Sequence, residues 1–303
     1  MNSLPKVHTG FQSSTEKLLD WNHPMYKLYE KAKKFGGWNP IDIDFSVDRQ
    51  SVLNSGPKER ELVAQLVALF GAGEEAVTLD FLPVLYTMAN EGRLEDTIYL
   101  TTFLYEEAKH TEFFARWRQE VGMTEDLSKY HTDNYKKVFY EMLPQAMNAL
   151  YTDNSPEAQV RALTTYHMVV EGMLAESGYH SFRLGFQATG LLPGMIEGIK
   201  NLGRDEGRHI GFGTYTLRRL ISQDPKLYDV FTETMDGLLP YAIGLINDTI
   251  AITEGEEMYG VDWTIMTDYA IKQYNTREAS ISKAKDHFDA YLEIEEEAEA
   301  IIE

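Results

Sequence analysis

From Pro57 onward, apolar residues return every three or four positions. Leu62, Leu66, Leu69 and Phe70 set a rhythm that belongs to a helix with one buried face. The same period predicts helices over 58–90, 93–121, 131–150, 156–187, 194–222, 225–255 and 263–292. No segment alternates with period two, so no strand is expected. The breaks carry turn chemistry. Asn90-Glu-Gly-Arg parts the first two helices, Asp153-Asn-Ser-Pro sets a capping side chain before a proline, and Thr189-Gly-Leu-Leu-Pro-Gly parts the fourth from the fifth. Pro83, Pro144 and Pro240 fall inside helical patterns and are expected to kink or interrupt them. Residues 1–57 lose the rhythm. They hold Pro5, Pro24, Pro40, Pro57 and Gly36-Gly-Trp38, with one short helical stretch near 26–34. They read as a wrapping segment on a single all-α domain over 58–292, which is followed by an acidic tail over 293–303.

Charge and composition narrow the function. A formal net charge of −20 excludes a nucleic-acid partner, which needs a basic face, and disfavours an anionic membrane surface. Part of that charge is the tail Glu293-Ile-Glu-Glu-Glu-Ala-Glu, a solvated run. There is no cysteine, so disulfides, thiolate catalysis, iron–sulfur clusters and zinc–thiolate sites are ruled out. The opening residues lack an apolar signal region, and no run of about 18 apolar residues appears. A cytoplasmic protein without a membrane span is therefore expected.

Two short motifs carry the chemistry: Glu107-Ala-Lys-His110 and Glu206-Gly-Arg-His209. Each follows a lone glutamate. The gap from Glu74 to Glu107 is 33 residues, and that from Glu171 to Glu206 is 35. Residues three apart share a helix face, so each glutamate points the same way as its histidine. At 1.5 Å per residue, about 15 residues out and about 15 back return the chain to its starting height. Four carboxylates and two imidazoles then converge between four helices. That is the ligand set of a two-metal centre in a ferritin-like four-helix bundle, here with additional helices. Carboxylate and imidazole suit iron and manganese, and two divalent ions would offset four carboxylates in a core that otherwise penalises them. Taken singly, each of the six has an ordinary alternative as a solvated or packed residue; together they favour the metals. Glu75, Glu106, Glu112 and Glu176 read as facing solvent or supporting the ligands, and Asp205 as an acceptor for a ligand histidine. His8, His23, His131, His167, His180 and His287 lack the pattern.

The segments Gly71-Ala-Gly-Glu-Glu-Ala-Val-Thr-Leu-Asp, Thr101-Thr-Phe-Leu-Tyr-Glu-Glu-Ala-Lys-His-Thr-Glu-Phe-Phe, Tyr166-His-Met-Val-Val-Glu-Gly-Met-Leu-Ala-Glu-Ser-Gly-Tyr and Arg204-Asp-Glu-Gly-Arg-His-Ile add a resemblance. Over roughly residues 60–220, the chain resembles the ligand-binding oxidases related to the ribonucleotide reductase small subunit. The resemblance implies an oxygen-activating oxidase with one manganese and one iron; the ligand types also leave a di-iron pair open. It implies manganese on Glu74, Glu107 and His110, iron on Glu171, Glu206 and His209, and Glu107 as a bridge. It further implies a long-chain fatty acid or similar lipid bound at the metals, a homodimer, and an ether cross-link between Val77 and Tyr166. Val169, Val170, Met173, Leu174 and Tyr179 are candidate walls for the lipid. Bundle packing is the ordinary reading of each, as it is of Val77 and Tyr166. The alternative is a reductase small subunit that holds an oxidising equivalent for a partner. Such subunits commonly place a radical tyrosine where this chain has Phe114. A storage shell is disfavoured, because storage subunits are shorter.

Overall fold

The computed structural model describes residues 19–285. His8, His287, the tail over 293–303 and the last part of the helix expected to reach 292 lie outside the described residues. The helices that carry the six candidate ligands are α3 (Pro57–Asp80), α5 (Leu94–Val121), a long composite helix beginning as α8 (Pro156–Leu163), and α10 (Pro193–Gln223). Helix α3 packs on α5, and α10 packs on the composite helix. Against this core lie α11 (Leu227–Ala251) and α12 (Ile265–Ser282), both seated on the composite helix. Among the described residues there is no strand, only an isolated bridge between Met258 and Val261. The fold is the expected all-α, ferritin-like bundle.

Local chemistry explains most boundaries. Ser155 caps α8 through a 3.2 Å bond from Ala158 N, and Pro156 opens the first turn. Gly122, at φ 77°, ends α5 in the left-handed conformation that glycine adopts freely. The first expected helix breaks at Phe81, and a separate α4 (Leu82–Asn90) begins with Pro83 in its first turn. Together Pro57–Asn90 are long and apolar enough to cross a membrane, but more than half of the most apolar window is buried in the protein. The helix expected over 131–150 runs as α6 (Asp133–Lys136), a π-helical stretch Lys137–Met142, and α7 (Leu143–Ala149), with Pro144 just past the change of pitch. Pro240 does not interrupt its helix, since α11 runs through it.

The composite helix changes pitch repeatedly. After α8 comes a π-helical stretch Thr164–Ala175, then α9 (Glu176–Phe182), then a second π stretch Arg183–Gln187. π-Helical turns are uncommon and concentrate at functional sites. The first of these holds Tyr166 and Glu171.

The segment before residue 57 is more regular than expected. It forms α1 (Pro24–Phe35), a 3-10 turn Pro40–Asp42, and α2 (Ser46–Asn54), laid across α5 and α10. Helix α2 has no apolar stripe to reveal it, since Asp48 and Val52 are its only buried residues. Its anchor is polar. Asp48 accepts hydrogen bonds from Trp117 Nε1 at 2.8 Å, Met195 N at 2.8 Å and Gly194 N at 2.9 Å. The last two are free amides at the start of α10, where a carboxylate is favoured.

Candidate metal centre

Glu74 comes from α3, Glu107 and His110 from α5, Glu171 from the π stretch, and Glu206 and His209 from α10. All six are buried. Ligand atoms of Glu74, Glu107, His110 and Glu206 lie within 4.8 Å of one another, as do those of Glu107, Glu171, Glu206 and His209. Glu107 and Glu206 belong to both groups.

The histidines aim their inner nitrogens at the carboxylates. His110 Nδ1 stands 3.4 Å from Glu206 Oε1, 3.6 Å from Glu74 Oε2 and 3.7 Å from Glu107 Oε2. His209 Nδ1 stands 3.1 Å from Glu107 Oε1, 3.4 Å from Glu206 Oε2 and 3.6 Å from Glu171 Oε1. Both Nδ1 atoms, with Glu107 Oε2, Glu171 Oε1 and Glu206 Oε2, are buried without a hydrogen-bond partner. Native interiors rarely tolerate such orphans. Five of them converging from facing helices, all of ligand type, fit a bound pair of cations.

The outer nitrogens are held from behind. His110 Nε2 lies 3.3 Å from Asp205 Oδ2, which also accepts from Trp38 Nε1 at 2.8 Å and Lys109 Nζ at 2.9 Å. His209 Nε2 lies 3.0 Å from Glu106 Oε2, while Phe103 stacks on the ring at 3.7 Å. Arg208 binds both Asp205 and Glu106. Such partners fix ring orientation and leave the inner nitrogen for a metal. Asp205 therefore takes the expected role, toward the histidine of the facing helix. Glu106 and Glu176 are buried, and Glu75 and Glu112 are exposed.

The electrostatics follow from four acids in one dry site. Burial pushes Glu74 up to about 7, against the pull of His110. Burial also lifts Glu171 well above the usual carboxylate range, with Glu206 adding to the effect. For Glu206 the same burial is outweighed by His209 and His110, which hold it at about 2. Burial works against charge on both histidines, but the surrounding acids raise them well above their ordinary value.

Tyr166 donates to Glu107 Oε1 at 3.1 Å, and Tyr179 to Glu206 Oε1 at 3.1 Å and more weakly to Glu74 Oε1 at 3.4 Å. An apolar cavity begins at Glu74, Glu107, Glu171 and Glu206 and extends toward α11, α12 and Trp263. Val77 lines it, as do Val170 and Leu174 of the expected walls; Val169, Met173 and Tyr179 do not. Phe114 stacks on Phe70 at 5.4 Å, so an apolar ring occupies the position where a radical tyrosine would stand.

Residues 20–282 match the sequence model of the family described as ribonucleotide reductase, small chain. Solved structures agree in fold and sequence. An R2-like ligand-binding oxidase with aerobically reconstituted Mn/Fe cofactor is 48% identical, with a TM-score of 0.88 over 92% of this chain and 99% of its own. A tyrosine-to-phenylalanine variant of R2-like ligand-binding oxidase, with the same cofactor, is 49% identical with a TM-score of 0.87 over 91% and 100% of the two chains. The chain belongs to the R2-like ligand-binding oxidases of the ribonucleotide reductase small-chain family. Sequence reasoning about this oxidase missed Lys109, Arg208, Trp38 and His167. Lys109 and Arg208 each directly precede a candidate ligand histidine, which is a usable signal. Trp38 reaches Asp205 across 167 residues and leaves no local trace.

Proposed function

We propose that this chain is an oxygen-activating oxidase in which Glu74, Glu107 and His110 would hold one manganese and Glu171, Glu206 and His209 would hold one iron. The 48–49% identity to Mn/Fe oxidases and the converging orphan ligand atoms support this reading. When bound, the metal pair supplies oxygen activation and the oxidising power to break a strong C–H bond. The chain supplies the rest. Asp205 and Glu106 hold the histidine rings, Tyr166 and Tyr179 hold carboxylate oxygens, and the bundle excludes water.

The observation that carries the ligand class is the apolar cavity opening onto four carboxylates. It suits a long-chain fatty acid, its carboxylate at the metals and its tail toward α11 and Trp263. Val77 lines the same cavity, and the Tyr166 hydroxyl already bonds Glu107, which supports an ether cross-link between them. The link joins Val77 Cβ to the Tyr166 oxygen. The Cβ–H and O–H bonds are lost, two electrons and two protons leave, and dioxygen is the electron acceptor. After anaerobic metal loading and exposure to air, mass spectrometry is expected to find one joined peptide, lighter by two hydrogens than the two together. Separate Val77 and Tyr166 peptides would overturn the cross-link.

A further inference from the structure

Glu171 differs from the other three glutamates in what stands one helical turn before it. Four positions earlier stands Phe70 for Glu74, Phe103 for Glu107 and Leu202 for Glu206; for Glu171 it is His167. Residues four apart share a helix face, and His167 Nδ1 lies 2.7 Å from Glu171 Oε2. His167 is fully buried, and its Nε2 has no hydrogen-bond partner. The rings of Tyr166, Phe212, Phe81 and Phe103 surround it, with centroids 4.8, 5.5, 5.7 and 5.7 Å away. Gly213 makes the room, since a Cβ there would stand 2.3 Å from His167 Cβ and 2.4 Å from Cγ.

An imidazole caged by carbon, with one polar contact, has no competing orientation. The contact occupies Oε2 and leaves Oε1, itself without a hydrogen bond, 3.6 Å from His209 Nδ1. We propose that His167 is a positioning residue that reserves Glu171 Oε2 and presents Oε1 alone to the metal held with Glu206 and His209. This builds on the reading of the six residues as metal ligands. Glu171 also lines the apolar cavity, so fixing its carboxylate fixes part of the cavity wall beside the proposed ligands. Glu74, its counterpart, has no such clamp, only the longer contact from Tyr179. The two halves of the centre are thus unlike in their outer support.

Two variants separate the roles of the ring and its nitrogen. His167→Phe keeps an aromatic ring in an aromatic cage, and His167→Asn keeps an N–H donor. The full-length protein is titrated anaerobically with Mn(II) and Fe(II). Bound metal is counted per chain, affinity is read by chelator competition, and the magnetic resonance spectrum of the loaded centre is recorded. His167→Phe is expected to fold, to lose about 10–100-fold in affinity at one of its two sites and to change the spectrum. His167→Asn recovers much of both. Gly213→Ala displaces the imidazole without removing it and is expected to give the same loss, which covers a His167→Phe that does not fold. Wild-type affinity and spectrum in folded His167→Phe or Gly213→Ala overturn the proposal. A wild-type chain that binds no metal pair overturns the underlying metal reading instead.

Discussion

Glu74 shows how a single residue links metal loading to pH. Its carboxyl sits at about 7 in the metal-free protein, above its ordinary 4.5, because burial outweighs the pull of His110. The sign follows. A raised carboxyl favours the fold while it keeps its proton, so this contribution is complete below about 4.5 and is lost as pH rises through about 7. A metal takes the carboxylate, so loading must expel the proton. Proton release on anaerobic addition of Mn(II), followed in a pH-stat, is expected to be larger at pH 6 than at pH 8; equal release at both would refute the assignment. All six proposed ligands were legible in the sequence because Glu-x-x-His is a local geometry and the two gaps repeat. His167 also had a local relation to Glu171, but a lone histidine on an apolar stretch looks like packing until its cage is seen.

At the scale of elements, α2 is a helix held by one carboxylate. Asp48 gathers the Trp117 indole and two free amides of α10, and so ties the wrapping segment to two helices that carry candidate ligands. Asp48→Ala would leave three buried donors unpaired and is expected to cost about 3 kcal/mol. That loss is read as a lower denaturant midpoint at unchanged slope; an unmoved midpoint would show that the clamp contributes nothing. This helix was invisible in the sequence because its anchor is polar and periodicity reports only apolar faces. The long helices were legible for the converse reason. Their changes of pitch were not, since a π turn alters backbone spacing without a residue type that marks it. Pro240 shows a similar limit: lacking an N–H, proline weakens a helix locally, yet tertiary packing carries α11 through it.

For the whole molecule, the sequence implied an all-α fold, and the described residues are helical throughout their regular elements. What it left unmarked is how the outside is used. Helices α3, α4 and α5 expose Leu79 at 63%, Leu82 at 46%, Leu94 at 46% and Tyr105 at 60%. Apolar side chains of that size on adjoining helices would suit an isologous contact between two copies, the homodimer that the sequence resemblance implies. Light scattering is expected to give twice the chain mass of 34.7 kDa, and Leu79→Asp to shift the population toward single chains. A wild-type protein that scatters as one chain at micromolar concentration would remove the dimer. The contact from Trp38 to Asp205 has a different consequence. A chain shortened past that tryptophan would keep every proposed ligand in its helix and still lose one of the donors that hold Asp205 behind His110, so the bundle stripped of its wrap is not an equivalent vessel for the metals.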